Sequence, residues 1–229
     1  MDVVISYMPS IMKGAGITVL VSICSVLLSV CFGLLGAWGK LSSSKAARQA
    51  ANAYTTLIRG VPDLVLMLLI FYGGQQLLND LGDATGLWGY VEINHFTAGV
   101  VTIGFIFGAY MTESFRGAYL AIPSGQIEAG VACGMSRATL MLRIIWPQLV
   151  RYALPSFSNN WLVLLKTTAL VSVLGLHELV YEAVTAGRST REFFPFLFVA
   201  LAIYLVLTAV SNLGLHWLDR RYSAGLRGS

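Results

Sequence analysis

The chain has 229 residues, of which 56% are hydrophobic and only 11% charged, with a formal net charge of +4. A soluble domain carries roughly a quarter charged residues, and a globule of this length cannot bury so much apolar surface, so an ordinary soluble fold is excluded and a protein that crosses a membrane several times is indicated. Cys24, Cys31 and Cys133 give no disulfide framework or zinc site, and His95, His177 and His216 lack ligand spacing, so no metal is expected.

Residues 1–13 are short and mixed, and read as a partly interfacial segment. Lys13 comes too late, and the apolar run after it is too long, for a cleavable signal peptide. The first predicted span is 17–38, matching the ~20 residues that a bilayer core requires. Gly33, Gly36 and Gly39 near its end predict a close-packing face, because small residues let helices approach in lipid. A basic connection follows, with Lys40, Lys45, Arg48 and Arg59. The second span is 63–78. The connection 79–95 holds Asp80, Asp83 and Glu92 and no Lys or Arg. The third span is 96–119, where Gly104 and Gly108 form a GxxxG spacing, a common packing device that does not by itself imply a dimer.

Between this span and the next lies a polar island, 123–147. Ser124 is placed to cap a helix over 126–133 with Glu128 in its first turns, where a carboxylate suits the positive helix end. Gly134 suits a left-handed stop. Ser136 can cap a second helix to about residue 145, with Leu140, Met141, Ile144 and Ile145 on one stripe, and Pro147 is expected to bar its extension. The fourth span, 154–176, carries Asn159, Asn160 and Lys166. A mixed-sign connection, 177–192, leads to the fifth span, 193–218, closed by Arg220, Arg221 and Arg227.

With Arg116 at the end of span three counted, basic residues number four, four and three in the connections after spans one and three and in the tail, against none and two in the other connections. The positive-inside rule therefore predicts a cytoplasmic island and C-terminus and an outer N-terminus. The expected fold is an all-α membrane protein of five transmembrane helices with a short helical hairpin on the cytoplasmic side.

No catalytic residue is indicated, since no nucleophile–base pair or ligand set stands out. The nearest approach to a phosphate loop runs from Gly33 to Leu41. Its spacing is off by one, and Leu41 cannot ligate magnesium, so this chain is expected to bind no ATP. If ATP is used, another chain supplies it. The island also has the outline of a DNA-binding helix-turn-helix, but a span on each side disfavours nucleic acid.

The island resembles the cytoplasmic loop of the integral-membrane permease subunits of bacterial ABC importers. Their pattern is E-A-A, three residues, G, nine residues, I, one residue, L-P. Here Glu128-Ala129-Gly130, Gly134, Ile144 and Trp146-Pro147 keep every interval, with Gly130 in place of Ala and Trp146 in place of Leu. Gly130 is expected to loosen the first helix slightly. The resemblance extends over roughly residues 11 to 229 and is sharpest for the polar amino acid subfamily. Tyr54 with Arg59-Gly60-Val61-Pro62, Ala109-Tyr110 through Glu113 to Arg116-Gly117-Ala118, and Leu154-Pro155 with Asn159, Lys166, Thr168, Leu170 and Ser172 all match it. The stretch 54–73 is most like permeases of histidine and lysine/arginine/ornithine importers.

The resemblance implies a type I importer permease fold in the bacterial inner membrane, forming one permease domain over 1–229 with a coupling loop at 121–151. It implies a second permease, either a sister subunit or another copy of this chain. Two cytoplasmic ATPase chains would bind the ATP and magnesium, and a periplasmic or lipid-anchored solute-binding protein would deliver a basic L-amino acid. Glu128, Ala129, Gly134, Ile144 and Pro147 would then meet the ATPase. An ion-coupled secondary amino acid transporter is the alternative, but it would need its own ion site and usually inverted repeats, and neither is visible.

Charged residues in spans are costly and usually face a bundle interior or a cavity. Lys166 is either a pathway residue or a structural partner of Glu113. Glu113 either lines the pathway or pairs with Arg116 three residues on. Asn159 and Asn160 either touch substrate or bond across helices. Asp63 and Glu178 could each compensate a cationic solute; otherwise Asp63 pairs with Arg59 and Glu178 caps local backbone.

Overall fold

The computed structural model describes residues 2–223, so Met1 and the tail residue Arg227 lie outside the described residues. Helix α1 (Asp2–Leu41) is one continuous rod, and the expected interfacial segment 1–13 is, from Asp2 on, its first turns. The reason is tertiary: Ile11 and Ala15 are buried against Leu179, Ala183 and Phe196 of later helices, so these turns have a wall to pack on. Helix α2 (Lys45–Gly60) occupies the predicted basic connection. It is capped by Ser44, which accepts from the Ala47 N–H, and buries Ala51, Thr55 and Ile58.

The second span is broken in register. Helix α3 (Asp63–Leu68) runs through a π turn, Leu69–Gly73, into α4 (Gly74–Thr85), seven residues beyond the predicted end. An extended strap then doubles back along α4. The Val91 N–H donates to Asn79 Oδ1 at 2.9 Å, the Ile93 N–H to Gln75 Oε1 at 2.7 Å, and Trp88 Nε1 to the Leu78 carbonyl at 3.1 Å. Helix α5 (His95–Leu120) matches the third span and is capped by Asn94.

Helix α6 (Ser124–Ala132) and α7 (Arg137–Leu140) form the island hairpin. Pro147 does not stop the chain. A π turn, Met141–Ile145, carries α7 directly into α8 (Trp146–Thr167), which tightens into a 3₁₀ segment, Thr168–Leu174. Proline is tolerated because it falls at the first positions after the π turn, where its missing N–H costs little. Helix α9 (Leu179–Thr190) replaces the expected connection 177–192, and α10 (Phe193–Ser223) forms the last span. Four long apolar helices, with the bent pair Arg137–Leu174 and Leu179–Thr190 as a fifth, are long enough to cross a membrane.

The most extensive helix pairing is α1 with α5, and glycines on both helices close it. A methyl group on Gly33 would stand 2.5 Å from Met111 Cβ, one on Gly104 2.8 Å from Leu28, and one on Gly108 2.5 Å from Phe32. Both predicted glycine faces are therefore consumed inside this chain. A buried polar stripe, Thr18, Ser22, Ser25 and Ser29, completes the α1 side. Ser22 and Ser29 donate to their own helix, to the carbonyls of Thr18 and Val26.

Candidate functional site

The hairpin is closed by backbone and by a missing side chain. Gly134 has φ +74°, the Met135 N–H donates to the Gly130 carbonyl at 3.1 Å, and the Gly134 N–H donates to that of Val131 at 2.9 Å. This is the paired bond set of a Schellman stop. Ser136 caps α7 as expected, accepting from the Thr139 N–H. Ser124 does not cap: α6 begins at Ser124 itself, with Pro123 at the cap position and no side-chain bond there. The stripe is redistributed as well. Leu140 and Ile145 are buried, Ile144 is half-buried and Met141 is 46% exposed. The π turn brings residues five apart onto one face, so Leu140 and Ile145 align where four-residue spacing would separate them.

Gly130, expected to loosen α6 slightly, also admits α7. It is buried, and a Cβ there would lie 2.5 Å from Leu140 Cδ1 and 3.1 Å from Ile144 Cδ1. Those atoms are the ends of flexible side chains, and alanine gains about 1 kcal/mol of helix propensity over glycine. Gly130→Ala should therefore shift hairpin stability by less than about 1 kcal/mol, whereas Gly130→Phe should open the hairpin. Thiol labelling of exposed Cys133 and of an added cysteine at Leu140 reads the difference, because only opening exposes the second site. Glu128, Ala129 and Pro147 lie on the exposed surface, and Gln148 Nε2 ties α8 to Gln126 Oε1 of α6 at 2.7 Å.

Behind the hairpin, α1 and α5 are locked by charge. Glu113 accepts from Lys40 Nζ at one carboxylate oxygen and from Arg116 Nε at 2.9 Å at the other. The predicted Glu113–Arg116 pair is present, with Lys40 as the partner that spacing did not reveal. Tyr54 of α2 reaches across to α5, its hydroxyl donating to the Phe105 carbonyl at 2.6 Å in the space that Gly108 leaves open. Burial pushes the Tyr54 phenol above its ordinary range. Asp63 is half-buried at the start of α3 and makes no ion pair with Arg59, whose guanidinium instead sits 5.4 Å from the centroid of the Tyr110 ring.

The remaining polar residues divide. Asn160 Nδ2 donates to Ser114 Oγ at 3.0 Å and joins α8 to α5, while Asn159 is exposed on α8. Lys166 is exposed and does not meet Glu113. Glu178 is fully buried at the cap of α9. Its Oε1 accepts from the Tyr181 N–H at 2.8 Å, and Oε2 accepts from the hydroxyls of Thr18 at 3.2 Å and Tyr204 at 3.5 Å. Thr18 in turn accepts from the Leu179 N–H at 3.1 Å. The sequence reading proposed the cap but missed Thr18 and Tyr204, although the Thr18-Ser22-Ser25-Ser29 periodicity on an apolar helix was a signal for a packed polar stripe.

Four long apolar helices, with a bent pair as a fifth, thus carry an exposed hairpin between the third and fourth of these spans. The family described as "Binding-protein-dependent transport system inner membrane component" matches residues 29–224. The chain is 52% identical over 217 residues to the histidine/lysine/arginine/ornithine transport system permease protein HisQ of Escherichia coli (strain K12), covering 95% of each chain. It is 40% identical to the octopine transport system permease protein OccQ of Rhizobium meliloti, covering 94% of this chain and 91% of that one. Its fold matches a crystal structure of an amino acid ABC transporter with histidines at a TM-score of 0.81 and 32% identity, covering 95% and 96% of the two chains. Fold, family match and relatives agree that this chain belongs to the inner-membrane components of binding-protein-dependent transport systems, as a non-enzymatic permease subunit of the ABC importer type.

Proposed function

We propose that this permease serves an importer of basic L-amino acids: histidine, arginine, lysine and ornithine. It forms the pathway with a second permease, a sister subunit or another copy of itself. Two ATPase chains hold the ATP and magnesium, and a solute-binding protein delivers cargo from outside. The similarity to HisQ supports the cargo, and the basic residues at the hairpin end support a cytoplasmic hairpin and C-terminus.

The observation that carries the coupling role is the construction of the hairpin. Its outer face, with Glu128 and Ala129, is exposed, its inner face is closed on Gly130, and it continues without a break into α8. A push on Glu128, Ala129, Gly134, Ile144 and Pro147 reaches the span as a rigid-body movement. Of the polar span residues, Asp63, Asn159 and Lys166, none of them fully buried, suit the pathway. Glu113, Asn160 and Glu178 hold helices in place, and so shape the pathway from behind.

Arginine uptake by cells carrying the whole transporter should stop when ATP is depleted and persist when the ion gradient is collapsed. The opposite pattern removes the ATP-driven reading. Glu128→Arg changes only an exposed side chain, so the chain should remain folded while its association with the ATPase falls, with uptake dropping by about tenfold. Unchanged co-purification and unchanged uptake would count against the docking role.

A further inference from the structure

Helix α4 and the strap that follows it form one closed unit at the far end of the molecule from the hairpin. Helix α5 separates the two: it starts at the foot of the strap and ends beside the hairpin, about 39 Å away at 1.5 Å per residue. With the hairpin cytoplasmic, as proposed, the unit lies outside. Helix α4 rests on its own π turn and packs extensively on no other helix. Gln75 and Asn79 hold the strap, and Trp88 lies across Gly82, where a Cβ would stand 2.5 Å from Trp88 Nε1. Gly86, with φ +66°, turns the chain from the helix into the strap. The unit is thus folded on itself and offers its outer surface with little ordering left to be done on binding.

That surface has one sign of charge. Asp80, Asp83 and Glu92 are exposed and make no ion pair among the described residues, and residues 74–95 contain no Lys or Arg. On the strap, Leu87 and Tyr90 are 76% and 78% exposed. Three unpaired carboxylates belong in water, so acyl chains do not cover this end. Anionic lipid headgroups would be repelled by it. A second copy of this chain is disfavoured for the same reason, since across a two-fold axis the pad would meet its own charge. What remains is a protein of the outer compartment that presents positive charge and an apolar patch. The family to which the chain belongs is described as dependent on a binding protein.

We infer that the α4–strap unit is the docking surface for the solute-binding protein, with Asp80, Asp83 and Glu92 meeting a basic face of that protein and Leu87 and Tyr90 meeting an apolar patch within it. This rests on the importer reading given under the proposed function. The carboxylates act at a distance, drawing the binding protein to the permease and setting its orientation, while the two apolar side chains supply contact once it has arrived. Association is therefore fast at low salt and weakens as salt screens the pad.

The test uses the whole transporter in nanodiscs of zwitterionic lipid, where both faces are accessible, with its purified solute-binding protein and L-arginine. ATP hydrolysis is followed as the binding protein is titrated. The triple variant Asp80→Asn, Asp83→Asn, Glu92→Gln should need roughly tenfold more binding protein for half-maximal stimulation and still reach the wild-type maximum. Added salt should raise the wild-type midpoint and barely move that of the triple variant. Tyr90→Ala should raise the midpoint at every salt concentration. Glu192→Gln removes another exposed carboxylate, between α9 and α10, and should leave the midpoint where it is. An unchanged midpoint in the triple variant overturns the inference. So does an equal shift in Glu192→Gln, which would assign the effect to net charge alone. Loss of the second permease from the purified triple variant also overturns it, because the pad then belongs to the interface between permeases. Hydrolysis that the binding protein fails to stimulate even in the wild type removes the importer reading itself.

Discussion

Gly36→Leu should prevent stable packing of α1 on α5 and leave most of the protein unfolded or aggregated on extraction into detergent. A Cβ at this position already falls inside the van der Waals shell of Thr112, against Oγ1, Cγ2 and Cβ together. Thr112 is fully buried and its hydroxyl is engaged with the Gly108 carbonyl at 2.8 Å, so it cannot swing aside cheaply. A leucine would force the two helices apart along the seam that also holds Gly33, Gly104 and Gly108. The expected cost is on the order of 3 kcal/mol or more, at the upper end for overpacking. Gly16→Leu is the matched control, since nothing lies within 4 Å of a Cβ there. Comparable thermal unfolding of the two variants in detergent would show that the glycine seam does not hold the fold.

Glu178→Ala should be nearly as damaging, for a different reason. The carboxylate caps α9 through the Tyr181 N–H and accepts from two hydroxyls contributed by α1 and α10. Truncation removes the acceptor of the Tyr181 N–H and the Tyr204 hydroxyl and opens a cavity, while Thr18 keeps its bond to the Gly14 carbonyl; a buried unsatisfied donor costs about 1–3 kcal/mol. A loss of roughly 3 kcal/mol is expected, read as a lower unfolding temperature and faster proteolysis between α9 and α10. Glu178→Gln keeps one oxygen for the Tyr181 N–H and turns an amide toward hydroxyls that can also accept. It should lose only about 1 kcal/mol. Equal loss in both variants would mean that the negative charge, and not the hydrogen-bond set, is what the junction requires.

These two sites mark the limits of what was legible beforehand. The spacing of Gly33, Gly36 and Gly39 announced a close-packing face because small residues on an apolar helix have few other uses. The five spans were legible from hydropathy, and the turn at Gly134 from glycine's freedom at positive φ. Helices α2 and α9 were not. Both are short and mixed in polarity, and both are held by what they lean on: Tyr54 on α5, and Leu179 and Ala183 on the start of α1. Pro147 misled for a related reason. A proline reads as a stop until a preceding π turn places it where no N–H is required. Lys40 as a partner of Glu113 was equally hidden, since the two residues are 73 positions apart.

The π turn Met141–Ile145 also sets a phase. A π turn amounts to one extra residue in an otherwise α-helical rod, and one residue of α-helix is about 100° of rotation. Deleting a single residue from this turn would regularise the helix and leave both ends intact. It would also rotate everything from Trp146 to Thr167 relative to the hairpin, carrying Asn160 off Ser114 and Leu164 out of the core while the hairpin kept its own face. The π turn therefore fixes the angular offset between the exposed outer face of the hairpin and the face of α8 that packs on α5, and a shorter, better-bonded helix would be aimed in the wrong direction.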